Sequence, residues 1–345
     1  MMTVRQLFGI DVPIIQAPMA GVQASALAVA VSNAGGLGSL PCAMLPADGL
    51  AQELAAIVAQ TSRPFNVNFF CHTPPPVDAD REAAWRAALS PYYREFGIDP
   101  AAIKPGPGRA PFNADAADVL ERVRPAVVSF HFGLPSDDLL ARVRAAGARI
   151  VASATTVDEA RWLDARGVDA IIAQGLEAGG HRGNFLSDDL TAQVGTLALV
   201  PQVVRAVRVP VIAAGGIADA RGVQAMLAMG AAAVQVGTAF MCCPEATTSR
   251  IHRDALASDA AHHTAITNVF TGRPARGIVN RIMRELGPLC ARAPAFPLAP
   301  AALAPLRAEA ERRGSGDFSP LWSGQNASGC RTVAAATLLR DLAGA

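Results

Sequence analysis

Residues 169–185 read DAIIAQGLEAGGHRGNF. The apolar run Ala170-Ile171-Ile172-Ala173 has the length of a buried strand, and it gives way to a loop with glycines at 175, 179, 180 and 183 and one histidine, His181. A strand running into such a turn lets the backbone approach whatever lies beyond the strand end, because glycine carries no Cβ. His181 is the only titratable ring in the turn. Alone, the segment reads equally well as a connector with an incidental histidine. Its flanks decide between the two.

Upstream, short apolar runs at 12–17, 37–40, 65–70, 126–130 and 149–152 read as strands. Between them, residues 23–33, 47–60, 117–123, 137–145 and 157–165 carry apolar side chains at helical spacing, and Gly35-Gly36 supplies the left-handed stop of the first. Downstream come helix 196–207, strand 210–213, helix 220–229 and strand 232–236. With 169–173 this makes eight strands alternating with helices, which predicts an α/β chain folded as a closed (β/α)8 TIM barrel. An open doubly wound sheet is the alternative, but that fold puts its glycine fingerprint after the first strand, and the clusters here come late.

The rhythm breaks twice. Over residues 72–115, Pro74-Pro75-Pro76 and Lys104-Pro105-Gly106-Pro107-Gly108 bracket a charged helical piece near 81–96. This predicts an excursion after the third strand, over one mouth of the barrel domain 1–260. Beyond it, Gly272-Arg273-Pro274, Gly287-Pro288 and the proline-studded stretch 293–305 predict a lid or flanking substrate subregion over 261–330 rather than a second core. A helix at 332–342, within the C-terminal segment 331–345, is expected to pack on the barrel.

Of the 345 residues 51% are hydrophobic and 17% charged, with a net charge of +1. That allows a large core and gives no electrostatic footprint for nucleic acid or an anionic membrane. No charged leader with an apolar run opens the chain, and no 18-residue stretch reads as a membrane span, so a cytoplasmic protein is expected, as a monomer or homodimer with a small-molecule partner. The cysteines at 42, 71, 242, 243, 290 and 330 have no metal-ligand spacing and suggest neither a metal site nor a disulfide framework.

In a barrel of this kind phosphate is held by the loops after the seventh and eighth strands. Here those loops are Ala213-Ala214-Gly215-Gly216-Ile217 and Gln235-Val236-Gly237-Thr238, both offering bare backbone N–H groups. With the polar strand face of Asn66, Asn68 and Gln174 they describe a cradle for a phosphorylated ring rich in acceptors, and flavin mononucleotide (FMN) fits. Asn68 and Gln174 suit its pyrimidine edge, while Met19 and Ala20 suit the back of its ring. His131 ends the fourth predicted strand, where it faces the mouth or packs at the rim. His72 has a loop role, and His252, His262 and His263 are expected in solvent. Arg182 and Glu177 read as exposed loop charges, and Cys242-Cys243 as packing residues.

QAPMAGV at 16–22, SNAGGLG at 32–38, QGLEAGGHRG at 174–183, AAGGIADARG at 213–222 and QVGTAFMCCPE at 235–245 together resemble the nitronate monooxygenases, formerly called 2-nitropropane dioxygenases, and among them the bacterial class I members. The resemblance implies an FMN-dependent barrel enzyme that oxidises alkyl nitronates, and nitroalkanes such as 3-nitropropionate, with O2 to a carbonyl compound and nitrite. It implies that His181 is the catalytic base. It further implies that Asn68, Gln174, Gly179, Gly180, Gly216, Gln235, Val236, Gly237 and Thr238 bind FMN, and that Met19, Ala20 and Gly215 touch it. The family's late proline-rich segment carries pocket tyrosines, whereas Phe296 stands here where one would fall. Phe296 and His131 are therefore the substrate-side candidates. An NAD(P)H-dependent enoyl-acyl-carrier-protein or quinone reductase on the same scaffold is the alternative activity, and a catalytically silent flavin-binding protein the alternative class.

Overall fold

The computed structural model describes residues 3–103 and 108–344. Strands β1 (Ile14–Gln16), β2 (Gly38–Pro41), β3 (Phe65–Phe70), β4 (Val127–His131), β5 (Arg149–Ala154) and β6 (Ala170–Gln174) are parallel, and so are β8 (Val211–Ala214) and β9 (Ala233–Val236). Between β6 and β8 lies β7 (Gly180–His181), which pairs elsewhere. The sheet order is β1-β9-β8-β6-β5-β4-β3-β2. Its two ends meet, because Gln16 N–H donates to Leu37 O at 2.9 Å and Leu37 N–H to Ile14 O at 3.0 Å. The barrel is closed, as the alternation requires.

Helices α1 (Val4–Phe8), α2 (Ser25–Asn33), α3 (Ala47–Val58), α4 (Ala79–Phe96), α5 (Ala114–Val123), α6 (Asp137–Ala145), α7 (Val157–Ala165), α8 (Thr196–Ala206) and α9 (Ala220–Ala228) accompany these strands. They are followed by α10 (Arg250–Leu256), α11 (Arg281–Leu286), α12 (Pro300–Arg312) and α13 (Ala335–Ala343). The outer ring is α2, α3 and α5 to α9, and α13 fills its eighth place between α9 and α2. Among the described residues no helix is long and apolar enough to cross a membrane.

Strand β3 shows how period two builds the layers. Phe65, Val67 and Phe69 join the core between strands and helices, while Asn66 and Asn68 turn into the barrel. The inside is graded along its axis. Leu37, Val127, Val151, Ile212 and Ala233 make an apolar floor that Val4 and Phe8 of α1 plug from below. A buried Phe or Leu side chain contributes about 1.5–3 kcal/mol there. One layer higher the Asn66 amide donates to Ser39 Oγ at 3.0 Å and Ser129 Oγ at 2.9 Å. The polar mouth thus starts within the strands and not only in the loops.

Two features go beyond the sequence reading. Strands β10 (Thr264–Thr267) and β11 (Ala275–Ile278) form an antiparallel sheet with β7, in which His181 pairs with Ala275. Residues this short leave no period to read. The expectation that the late segment has no core of its own is corrected. Trp85, Leu89, Tyr92 and Tyr93 of α4 pack with Leu303 and Leu306 of α12 and with Phe270 and Phe318 into a second apolar cluster. Its polar handles are satisfied, Trp85 Nε1 donating to Ala299 O at 3.2 Å and Tyr93 OH to Ala302 O at 2.7 Å. The excursion and the late segment therefore form one body over the barrel. The breaker at residues 104–107 lies outside the described residues.

Candidate active site

At the C-terminal ends of the strands a cavity encloses about 1290 Å3 of atom-free space, its open mouth included. Met19, Ala20, Asn68, His131, Gln174, Gly179, Gly180, His181, Gly215, Gly216, Gln235, Gly237 and Thr238 all line it. Two expected residues do not. Val236 lies on the outward phase of β9, is 1% exposed and belongs to the strand–helix core, and its carbonyl accepts from Ala17 N–H at 2.8 Å. Phe296 stands behind the wall, its ring centroid 5.4 Å from that of His181.

One end of the cavity is a backbone cradle. Gly215 and Gly216 have φ of 126° and 71°, a left-handed pair that glycine adopts without the strain a Cβ would bring. The amides of Gly216, Gly237 and Thr238 meet no protein acceptor among the described residues. The N-terminus of α8 is not part of this anion site. Glu177 already caps it, accepting from Thr196 N–H at 2.8 Å and Thr196 Oγ1 at 2.7 Å.

At the other end stands His181, held by its backbone and by its ring. Its carbonyl accepts from Gln174 Nε2 at 3.0 Å and faces His131 Nε2 at 3.2 Å. Gln174 Oε1 accepts from Gly183 N–H at 2.8 Å, so both ends of that amide position the loop. His131 Nδ1 lies 3.0 Å from Ser153 Oγ, so both its nitrogens are also engaged. The amides that remain open toward the cavity are Gln235, which has no protein partner among the described residues, and the Oδ1 end of Asn68, whose Nδ2 donates to Ser129 Oγ at 2.9 Å.

The loop glycines serve different neighbours. A Cβ at Gly183 would stand 2.7 Å from His131 Cε1, and one at Gly179 would stand 2.5 Å from Gly324 N. Those two make room for the protein itself. Only at Gly180, with φ of 70°, would a Cβ meet nothing within 4 Å.

Arg182 corrects the expectation of an exposed charge. It is fully buried, with Nε donating to Gln193 Oε1 at 2.8 Å and its two terminal nitrogens to Gly175 O at 2.7 Å and Gln174 O at 2.8 Å. Burial brings its pKa down to about 10, which leaves it charged at neutral pH while it clamps the strand end. His252 is likewise not in solvent but buried, its Nε2 at 2.9 Å from Trp322 O. His72 is buried in the excursion, its Nε2 at 3.0 Å from Arg109 O, whereas His262 and His263 are exposed.

Sequence reasoning passed over three contributors. Arg109, from the excursion, lines the cavity and lies 5.6 Å from the centre of the Phe296 ring. The strap Trp322-Ser323-Gly324 crosses the end with the backbone cradle, where Gly324 N–H donates to Thr238 Oγ1 at 2.9 Å. Thr271 holds the His181 ring, with Oγ1 at 2.9 Å from Nε2. The small polar run 322–326 was the one available signal, while Arg109 and Thr271 had none.

His181 faces the cavity rather than bulk water. Its pKa is pushed well below the ordinary value, first by burial and then by the positive charges of Arg109 and, more weakly, Arg273, with His131 and His72 adding to the effect. Phe132, between the two histidines, adopts φ of 70°, a strained left-handed backbone for a residue with a Cβ. The site is a neutral imidazole under cationic potential, facing a cradle for an anion.

The family model described as nitronate monooxygenase matches residues 2–344. The chain belongs to the nitronate monooxygenase family. It is 45% identical over 340 residues to the nitronate monooxygenase of Paraburkholderia phytofirmans, covering 97% of this chain and 92% of that one. It is 44% identical to the nitronate monooxygenase of Pseudomonas aeruginosa, covering 98% and 97%. Among solved structures it resembles the nitroalkane oxidase of Streptomyces ansochromogenes with a TM-score of 0.87 and 40% identity, over 97% of this chain and 95% of that one. The family uses a flavin, and relatives at 44–45% identity that are nitronate monooxygenases favour oxidation of a nitronate over the NAD(P)H reductase alternative. The cavity fits a flavin. Its free N–H groups suit a phosphate, its open amides a ring edge rich in acceptors and donors, and Gly180 leaves free space beside His181.

Proposed function

We propose that this chain is an FMN-dependent nitronate monooxygenase that converts alkyl nitronates, or the nitroalkanes from which they form, with O2 to a carbonyl compound and nitrite. The observation that carries the reading is the pairing of a neutral, half-buried His181 with the N–H cradle of Gly216, Gly237 and Thr238 in one cavity. FMN would lie with its phosphate on that cradle and its ring edge toward Asn68 and Gln235. When bound, FMN supplies the redox chemistry. The chain's own groups do the rest. His181, uncharged at neutral pH, takes the α-proton of a neutral nitroalkane. Arg109 and Arg273 place positive potential where a nitronate anion must sit. The cavity walls Phe70 and Trp322, with Phe296 behind them, surround the His181 ring at centroid distances of 5.9, 5.7 and 5.4 Å and keep bulk water from it.

Steady-state turnover tests the reading. With FMN bound, the protein is expected to consume O2 and release nitrite from an alkyl nitronate without NADH. Nitronate-independent oxidation of NADH as the only activity would overturn it.

A further inference from the structure

We propose that Thr271 fixes the tautomer of His181, so that the proton sits on Nε2 and Nδ1 is the atom that accepts a proton from the substrate. The inference rests on the reading of His181 as the base and names the atom that acts.

Donor and acceptor counting gives the assignment. A threonine hydroxyl has one proton to donate. Thr271 Oγ1 lies 3.2 Å from Arg273 O as well as 2.9 Å from His181 Nε2. The Arg273 carbonyl has no other donor among the described residues, and a carbonyl can only accept. If the hydroxyl proton goes to Arg273 O, Thr271 must accept from His181, which places the ring proton on Nε2. The reverse arrangement leaves that carbonyl unpaired beside a buried side chain, a disfavoured outcome. His181 Nδ1 has no protein partner among the described residues, and the ring lines the cavity. The same logic fixes the ring beneath. The His181 carbonyl makes His131 Nε2 a donor, and His131 Nδ1 then accepts from the Ser153 hydroxyl.

The fold holds Thr271 rigidly to this task. It is 3% exposed in the turn between β10 and β11, and the following Gly272, with φ of 86°, abuts the backbone of Pro294 and Ala295 so closely that no Cβ fits. Arg182 N–H donates to Pro274 O at 2.8 Å, and His181 pairs with Ala275 across the ladder. The small sheet thus anchors His181 next to the turn that carries Thr271, which leaves the two side chains little freedom to exchange partners. Thr271 is a positioning residue, since it touches the ring and not the substrate.

The test is nitrogen NMR of histidine-labelled holoprotein, with the His181 signals identified by their loss in His181→Asn. The expected spectrum has a protonated Nε2 and an unprotonated Nδ1 at neutral pH, and the Nε2 proton exchanges faster with water in Thr271→Val. Turnover of a neutral nitroalkane by Thr271→Val should fall about 10-fold in kcat. KM for a pre-ionised nitronate should change less than about 2-fold, and Thr271→Ser should restore kcat. A proton found on Nδ1 of the wild-type ring overturns the proposal. So does a Thr271→Val protein that retains FMN and turns over nitroalkane at the wild-type rate. Because the spectrum reports the tautomer without turnover, an inactive His181-independent protein would overturn the functional reading while leaving the tautomer assignment to be judged on its own.

Discussion

His181 is useful as a base only if it stays unprotonated, and its surroundings ensure that. Burial, Arg109 and Arg273 all oppose a second proton on the ring, so its pKa lies well below the usual histidine range. On the proposed function the neutral form is the active one, and acid removes it only below that lowered pKa. We therefore expect kcat/KM for a neutral nitroalkane to stay level as pH falls from about 8 through the ordinary histidine value of about 6.5. An acid limb centred near that ordinary value would contradict the electrostatic account. His181→Asn should retain the flavin and lose about 10²–10⁴-fold in nitroalkane turnover, with a smaller loss on pre-ionised nitronates, because only the former need a proton removed. Parallel kinetics on the two substrates checks this. At this scale the sequence was readable where chemistry is local: His181 lies among its own glycines, and Gly215, Gly216 and Gly237 announce a backbone cradle. It was silent where a partner comes from afar. Thr271 lies 90 positions from His181, and Arg109 sits in a segment without rhythm. Gln174 was expected to meet the ring edge, but both ends of its amide are bonded within the chain, to His181 O and Gly183 N, so it lines the cavity while holding the loop.

Elements explain why two adjacent glycines in the central loop should respond differently. At Gly179 a Cβ would press on the backbone of Gly324 and Ser323, at 2.5 and 2.6 Å, and backbone cannot rotate away as a side chain can. Gly179→Ala should therefore push the strap off the cavity wall, cost about 1–3 kcal/mol and weaken flavin retention. Gly180→Ala meets open space and carries only the strain of its left-handed backbone, about 1 kcal/mol. Thermal melts with and without added FMN separate the two, and equal effects would mean that the strap does not form part of the site. The barrel strands were legible because each is an apolar run bounded by turn signals. Strands β7, β10 and β11 were not, since two to four residues of mixed character take their conformation from pairing with each other. The same ladder joins the late segment to the His181 loop, a link that no local pattern reveals.

Over the whole molecule two cores are joined at one cavity: the barrel, graded from apolar floor to polar mouth, and the α4–α12 body above it. The first was legible as alternating strands and helices. The second was not, because α4 and α12 lie about two hundred positions apart and each alone reads as a weakly amphipathic helix among prolines. His131 at the cavity and His252 on α10 resist protonation. Burial lowers the pKa of His131 to about 4 and of His252 to about 4, whereas the unfolded chain takes up those protons near 6.5. Their neutral state is compatible with full stability above about pH 6.5, and stability is lost as pH falls from there toward 4, by up to about 1.4 kcal/mol per pH unit for each ring. Denaturation midpoints measured between pH 7 and 4 should show this loss, and His252→Gln should remove one ring's share, leaving a shallower slope. The central claim is that one cavity serves both a flavin and a nitronate, and the visible spectrum of the purified protein mixed anaerobically with an alkyl nitronate tests it most directly. The protein should be yellow, and its flavin absorbance should change on mixing with nitronate and recover, with nitrite released, when O2 is admitted. A protein that is colourless and takes up no FMN, or a flavin bleached by NADH and indifferent to nitronate, would contradict it.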